Sequence, residues 1–383
     1  MLWVLLGALG IFIADGLGLN AAQKGLVVAI PILSGSLLRI PLGLLSDRIG
    51  GRRVGIGILA VMFVPLALAW LGGDSLPAIL VVGAALGVAG ASFAVVLPLA
   101  SRWYPAERQG LVMGIAAAGN SGTVVANLFA PRLANIVGWH NVFGLALIPL
   151  VTVLIFFVLA AKEPPDRRAQ PAAGYLEPLK AGVKHGDLWW FCLFYCVTFG
   201  GYVGLSSFLP LFFRDHFGVR PVTAGYLTVL AAFVGSGIRP IGGYLADRLG
   251  GVRVLASLLA ATALMYAAAA TLQSLVFMET IVVLLMACLG LGNGAVFQLV
   301  PQRFRAEIGM ATGVVGAIGG LGGFLLPTLL GGLKQVTGSF ATGFSVLAVI
   351  AAAAALALHV LVAVRSGWRM SWQIARMTGT LDA

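Results

Sequence analysis

The chain has 383 residues, of which 60% are hydrophobic and only 10% are charged, and its mean hydropathy is +1.01. So small a polar fraction excludes a soluble globular protein of this length, because it cannot cover the surface. The formal net charge of +11 would suggest nucleic-acid binding in a soluble protein, but in a membrane protein the distribution of the basic residues matters more than their total.

Apolar blocks separated by polar punctuation predict an all-α membrane protein with twelve transmembrane helices. The blocks are about 17 to 25 residues long, as spanning helices require, whereas the strands of a membrane β-barrel would be shorter and alternating. The first block, 1–15, is short for a complete span, and no cleavable signal peptide is recognisable in it. The others are 24–46, 54–72, 77–100, 110–132, 139–161, 188–213, 222–246, 252–272, 275–300, 308–333 and 340–364.

The longest polar stretch runs from Lys162 to Asp187 and divides six predicted helices from six. It contains Pro164, Pro165 and Pro171 together with several charges, a composition typical of a linker. We therefore predict an N-terminal six-helix bundle over 1–161, a cytoplasmic linker over 162–187, a C-terminal six-helix bundle over 188–364 and a cytoplasmic tail over 365–383.

Basic residues concentrate on one side of the predicted topology. With the N-terminus in the cytoplasm, 17 of the 24 lysines and arginines fall in cytoplasmic segments. Five fall on the other side, and these are Lys24, Arg132, Arg214, Arg220 and Lys334. The positive-inside rule therefore predicts a multi-pass protein of the cytoplasmic (inner) membrane with both termini in the cytoplasm.

An internal repeat relates the two halves. Segment 35–54 aligns without gaps with 235–254, and 11 of the 20 positions are identical. Each copy contains a loop with the pattern Gly-x-x-x-Asp-Arg-x-Gly-Gly, and we predict Asp47, Arg48, Asp247 and Arg248 as gating residues. A carboxylate at the end of a span can hold arginines in one state and release them in another. The alternative is that the arginines only fix topology and bind the membrane surface.

Arg39 and Arg239 are the strongest candidates for a substrate site. Each precedes its loop aspartate by eight residues and so lies about 12 Å along the helix into the membrane. The thirteen acidic residues fall at span ends, in loops or in the tail, so neither arginine has a predicted counterion at midplane. We expect an anionic substrate to supply the missing charge, since the guanidinium fork suits planar oxyanions. The alternative is that both arginines bond to backbone carbonyls and brace the bundles.

Aromatic and small residues surround these arginines in the predicted helices. Tyr195 and Phe199 lie four residues apart on one helix face, and Phe93 lies in the fourth span; such rings otherwise serve core packing. The fifth and eleventh spans are rich in glycine, which lets helices approach closely. That role does not explain Asn120 between Gly119 and Gly122, whose amide could donate to an anion.

These residues resemble the nitrate/nitrite porter family of the major facilitator superfamily over almost the whole chain. GNSG at 119–122 and GAIGGLGGFLLP at 316–327 are similar to the two nitrate signatures of that family, and LGLGNGAVFQLVP at 289–301 resembles its tenth span. The resemblance implies the major facilitator fold. It also implies substrate-binding roles for the arginine pair, for the three aromatic residues and for the signature residues Gly119, Asn120, Gly122, Gly319, Gly320, Gly322 and Gly323.

The predicted function is secondary active transport of nitrate, with nitrite, by alternating access. Exchange of nitrate for nitrite is favoured because no midplane Asp, Glu or His is evident, although the resemblance includes proton symporters. The alternative is a major facilitator transporter of another small anion, such as phosphate, an organophosphate or a small carboxylate. A non-transporting sensor would need a signalling domain, and only a linker and a 19-residue tail lie outside the predicted membrane spans.

No catalytic triad, metal-ligand cluster or redox centre is visible in the sequence, so we do not expect an enzyme or a cofactor. The expected partners are a small inorganic anion, nitrate or nitrite, and the lipid bilayer, without nucleic acid and with a monomer as the unit.

Overall fold

The computed structural model describes residues 1–101, 103, 118–163, 185–271, 273–304, 308–365 and 368. Within these ranges the chain is helical and contains no strand. In the described part of the chain twelve helical segments follow one another, and ten of them include a helix long and apolar enough to cross a membrane. The prediction of an all-α membrane protein is confirmed.

The N-terminal six segments agree with the predicted blocks to within five residues wherever both ends are described. Residues 110–117 of the predicted fifth span lie outside the described ranges. The segments are α1 (Leu2–Val4, Leu5–Ala8 and Gly10–Leu17), α2 (Ala21–Ile49), α3 (Gly51–Val61 and Phe63–Leu71), α4 (Leu76–Ala91 and Phe93–Ser101), α5 (Ala118–Ser121 and Gly122–Val137) and α6 (Trp139–Leu145 and Leu147–Ala160).

The C-terminal six segments include one irregular helix, α7, which contains a π-helical turn at Cys196–Gly200. The linker predicted over 162–187 stays a prediction, because residues 164–184 are outside the described part of the chain. The segments are α7 (Gly186–Tyr195, Cys196–Gly200 and Gly201–Phe217), α8 (Pro221–Gly237 and Arg239–Leu249), α9 (Gly251–Ala269), α10 (Leu275–Arg303), α11 (Ile308–Thr337) and α12 (Ala341–Val364).

The duplicated loops have the same backbone form in both halves. Gly50 ends α2 with a φ of 102°, and Gly250 ends α8 with a φ of 92°. L-residues with a side chain rarely adopt this left-handed region, so glycine is required at both turns. The sequence repeat is thus matched by a repeated turn, and we call the side of the membrane that carries these loops the Asp47 face.

The opposite side, where α2 begins, is the Lys24 face, and polar contacts join the two halves there. The Lys24 ammonium on α2 contacts both carboxylate oxygens of Asp215 on α7, at 2.9 and 2.8 Å. The backbone N–H of Ala21 donates to the side-chain oxygen of Gln335 on α11, at 3.1 Å. The Arg132 guanidinium on α5 lies 4.7 Å from the centre of the Tyr226 ring on α8. The Lys24 face is therefore closed by contacts from one half to the other.

Close helix packing continues this closure toward the middle of the membrane. Gly25 on α2 faces the carbonyl of Pro327 on α11, so closely that an added side-chain carbon would overlap that oxygen. Gly225 on α8 meets the carbonyl of Asn127 on α5 in the same way. Small residues permit such contacts.

Candidate functional site

Arg39 lies in the middle of α2, between Pro31 and Pro41, and is 8% exposed. Its Nη1 donates to the carbonyl oxygen of Gly316 on α11, at 2.6 Å. Its Nε is buried and has no hydrogen-bond partner among the described residues. The backbone-bracing alternative therefore accounts for Nη1, while Nε has no acceptor among the described residues.

Arg239 begins the second part of α8, directly after the helix breaks at Ile238. Pro240 follows it, and a proline there has no N–H to continue the helical hydrogen bonds. Its Nε and Nη2 are buried without a hydrogen-bond partner in the described part of the chain. The guanidinium carbon lies 4.3 Å from the centre of the Tyr202 ring on α7. The second arginine therefore holds two donor nitrogens beside an aromatic face that have no partner among the described residues.

Both guanidinium groups converge on one ring, that of Phe199 in the π-helical turn of α7. The ring centre lies 5.2 Å from the Arg39 Cζ and 5.7 Å from the Arg239 Cζ. The two Cζ atoms are therefore within about 11 Å of each other, the sum of these two distances. The structure brings together one arginine from each half, and Phe199 contacts both.

Tyr195 extends this aromatic wall. Its ring stacks on Phe199 with centres 4.8 Å apart, and the Phe297 ring of α10 meets it edge-on at 4.9 Å. A side-chain carbon added at Gly319 on α11 would overlap the Tyr195 ring. The glycine is therefore required for the ring to occupy its place beside the arginines.

The other predicted glycines of α11 pack against neighbouring helices. Gly320 adjoins the buried side chain of Ser36 on α2, and Gly322 adjoins the backbone of Cys196 at the π-helical turn. Gly323 lies against α2 and α7, where Ile32 is the nearest residue, at 3.0 Å from an added carbon. They shape the site by permitting close helix contact, since none of these three positions faces open space.

No described contact joins the predicted site residues of α4 and α5 to the arginine pair. Gly119 is exposed and faces open space, whereas Gly122 adjoins the backbone of Met1. Asn120 lies in the helical turn Ala118–Ser121, and its side chain is outside the described part of the structure. Phe93 is partly buried and begins the second part of α4, without a described ring contact to Phe199 or Tyr195.

The C-terminal loop residues pair within their own half. The Asp247 carboxylate accepts a hydrogen bond from Nε2 of Gln298 on α10, at 2.8 Å. The Arg248 guanidinium lies 4.5 Å from the centre of the Tyr244 ring, one turn earlier on α8. The gating role predicted for Asp247 and Arg248 stays a prediction.

In the N-terminal loop, Arg48 is exposed, and the Asp47 side chain is outside the described part of the structure. Beside them, Glu163 accepts a hydrogen bond from the backbone N–H of Arg52 at 2.8 Å, and the Arg52 guanidinium donates to the carbonyl of Val158 at 2.8 Å. This loop is therefore fastened to the end of α6.

Among the described spans, Glu279 is a buried carboxylate and therefore a candidate counterion for the arginine pair. Glu279 lies in the second turn of α10, with both carboxylate oxygens buried and unpartnered among the described residues. Gly294 of the same helix packs against the backbone of Arg239. Glu279 precedes Gly294 by fifteen positions, which correspond to about 22 Å of helix. Glu279 is therefore too far away to act as the counterion of Arg239.

Several residues at the site carried no clear signal in the sequence. Trp3 of α1 lies with its ring centre 6.0 Å from the Arg39 Cζ, and Gly316 accepts the hydrogen bond from Arg39. Phe297 contacts Tyr195 from another helix, a relation that helix periodicity does not reveal. Tyr202 was recognisable in principle, since it follows Phe199 by three residues in a helix. Asn293, a buried amide on α10, falls within the 289–301 motif, which does not single it out.

The chain is similar to known transporters over most of its length. It is 37% identical over 385 residues to the "Nitrite extrusion protein" of Bacillus subtilis, covering 99% of this chain and 93% of that protein. It is 34% identical over 391 residues to the "Probable nitrate/nitrite antiporter NarK1" of Thermus thermophilus, covering 94% and 88%. These relatives confirm the resemblance stated from the sequence motifs.

A solved structure supports the fold independently. The crystal structure of a D-xylose-proton symporter superimposes with a TM-score of 0.71, covering 93% of this chain and 94% of that one at 17% sequence identity. At this identity the likeness concerns the fold alone. The family model described as Major Facilitator Superfamily matches residues 1–327. With this match over most of its length, and with relatives more than 30% identical over nearly the whole chain, the protein belongs to the Major Facilitator Superfamily.

Proposed function

We propose that this protein transports nitrate and nitrite across the cytoplasmic membrane by alternating access, with the anion bound between Arg39 and Arg239. The observation that carries the proposal is the set of buried guanidinium N–H groups near Phe199, one set from each half, that have no partner among the described residues. The name of the Thermus relative includes both anions, and that of the Bacillus relative includes nitrite.

The chemistry of the site fits a small planar oxyanion. A guanidinium presents its donors in one plane, and nitrate and nitrite present two or three acceptors in one plane, so that paired hydrogen bonds form without distortion. The stacked rings of Phe199 and Tyr195 exclude water from one side and offer an apolar surface to the flat face of the anion. Phe93, Asn120 and the glycines of α5 and α11 complete the proposed walls.

Repulsion between the arginines supplies the reason for exchange. Two unit charges at about 11 Å repel by about 1.5 kcal/mol at an effective dielectric of about 20, and by more at shorter separation. A bound monovalent anion offsets this repulsion and lets the two halves approach around it. An empty site keeps the like charges facing each other, which disfavours the passage between the two orientations and favours anion-for-anion exchange.

The orientation of the protein in the membrane follows from the distribution of basic residues. Under the positive-inside rule the Asp47 face is cytoplasmic and both termini lie on that side. In this proposal the Lys24 face, closed by the contacts of Lys24 with Asp215 and of Ala21 with Gln335, is the outer side of the membrane. Movement of the duplicated loops, with Asp47, Arg48, Asp247 and Arg248, accompanies closure of the cytoplasmic side.

Counterflow in proteoliposomes tests the proposal. Purified protein is reconstituted with unlabelled nitrite inside, isotopically labelled nitrate is added outside, and pH is clamped on both sides. We expect labelled nitrate to accumulate with the wild type and to fall at least about ten-fold with Arg39→Lys or Arg239→Lys, since lysine cannot form the paired hydrogen bonds. Arg220→Lys, on the exposed Lys24-face loop, is the matched control and should transport normally.

If phosphate or a carboxylate, but not nitrite, competed for wild-type transport, the substrate would be another anion and not nitrate. Retention of full activity in both site variants would remove the arginines from the binding site. A proton influx stoichiometric with nitrate would replace exchange by symport.

A further inference from the structure

A buried amide of α10, Asn293, lies beside the arginine site and has no assigned role. The residue is 3% exposed, and neither its Nδ2 nor its Oδ1 has a hydrogen-bond partner among the described residues. Burial of an amide without partners is unfavourable, and most buried polar side chains are hydrogen-bonded. A polar residue at this place therefore requires an explanation other than packing.

The contacts of its neighbours fix the position of Asn293. Gly294, the next residue, packs so closely on α8 that an added side-chain carbon would overlap the carbonyl oxygen of Arg239. An added carbon at Gly292, the preceding residue, would lie 2.7 Å from the Thr198 side chain in the π-helical turn of α7. Phe297 follows Asn293 by one helical turn and contacts Tyr195. Asn293 thus lies between the start of the second part of α8 and the aromatic wall.

The same region holds the unpartnered donors of Arg239. Its Nε and Nη2 lack an acceptor, while Oδ1 of Asn293 lacks a donor. An amide oxygen is a hydrogen-bond acceptor, and an amide nitrogen is a donor, so one asparagine can join a guanidinium to an anion. The π-helical turn opposite, Cys196–Gly200, is a helix irregularity of the kind that often occurs at functional sites.

We propose that Asn293 is a positioning residue of the anion site: its Oδ1 accepts from the Arg239 guanidinium and its Nδ2 donates to an oxygen of the bound anion. The inference rests on the proposed function, because it takes the arginine pair as the place where the anion binds. It adds a neutral donor to two charged groups. A neutral donor discriminates between oxyanions by the placing of their oxygens without adding charge repulsion.

Three substitutions test this role by counterflow and by the thermal shift that nitrate causes in the purified protein. Asn293→Leu keeps the size and removes both polar atoms; we expect KM for nitrate to rise about ten-fold or more, with a smaller change in maximal rate. Asn293→Ser retains a hydroxyl donor and should recover part of the affinity. Asn293→Asp places a carboxylate beside Arg239 and should abolish the nitrate-induced thermal shift.

Asn127→Leu is the matched control. Asn127 is also a buried asparagine, 1% exposed, but its Nδ2 donates to the carbonyl of Thr123 within α5, and only its Oδ1 lacks a partner among the described residues. We expect it to lower thermal stability without altering KM for nitrate. An unchanged KM in Asn293→Leu, with or without a loss of stability, would overturn the proposal. Failure of the wild type to exchange nitrate would instead reject the proposed function, so the two results are distinguishable.

Discussion

Neutralising the ion pair between Lys24 and Asp215 should open the Lys24 face. The pair joins α2 of one half to α7 of the other, with the ammonium 2.9 and 2.8 Å from the two carboxylate oxygens. The two side chains are only 17% and 20% exposed, so solvent screens the pair less than an ordinary surface ion pair. Opening this face must separate these atoms, and the pair therefore stabilises the closed state alone.

The expected magnitude lies between two limits. Exposed ion pairs contribute about 0–1 kcal/mol, and breaking a buried pair costs about 3–5 kcal/mol. For this partly buried pair we expect about 1–2 kcal/mol, which corresponds to a shift of about 5- to 30-fold in the ratio of open to closed forms, because about 1.4 kcal/mol is a factor of ten. The contacts of Ala21 with Gln335 and of Arg132 with Tyr226 remain, so closure is weakened and not lost.

Distances between spin labels on the two halves measure this shift. Ile136 at the end of α5 and Val276 at the start of α10 are 78% and 77% exposed on the Lys24 face, and each is replaced by cysteine in a background without the three native cysteines. We expect Asp215→Asn to increase the population with the longer label separation. The charge-exchanged protein, Lys24→Asp with Asp215→Lys, should restore the shorter separation.

Two results would refute this reasoning. An unchanged distance distribution in Asp215→Asn would show that the pair does not stabilise the closed face. An equally altered distribution in the charge-exchanged protein would show that the effect comes from local disturbance and not from the attraction between the two charges.

Two further predictions concern packing and stability. Gly319→Ala should reduce nitrate counterflow at least about ten-fold, because the added methyl group displaces the Tyr195 ring, whereas Gly332→Ala on the same helix faces open space and should transport normally. Asp187→Asn should lower the free energy of unfolding by about 1–3 kcal/mol, since the carboxylate contacts the side chains of Arg303, Arg365 and Trp368; thermal unfolding followed by tryptophan fluorescence checks it, and an unchanged midpoint would contradict it.

The spans were predictable because lipid imposes a length and a hydropathy on each helix. The arginine pair was predictable for a different reason: duplication placed Arg39 and Arg239 at equivalent depth, and the acidic residues were visibly elsewhere. Both inferences use information that is local in the sequence. The structure then shows that Phe199 connects the two arginines, which the sequence motifs alone did not establish.

The remaining site residues depend on contacts between distant segments. Trp3 reaches Arg39 from a short helical segment that hydropathy treats as part of a span, and Phe297 reaches Tyr195 from α10. The glycines of α11 looked alike in sequence, but Gly319 makes room for a ring while Gly313 faces open space. Which neighbour a glycine meets is decided by the crossing of helices, and residue type does not encode it.

The π-helical turn in α7 changes the direction in which every later residue of that helix faces. A π turn holds about one residue more than an α turn, so everything after Gly200 is rotated by about 100° from where a continuous α-helix would place it. The rotation turns Tyr202 toward α8, where its hydroxyl donates to the carbonyl of Ala232, while Tyr195 stays with α10 and α11. Removing a single residue from this turn would therefore change the helix that every later side chain of α7 faces, without changing the hydropathy of the span.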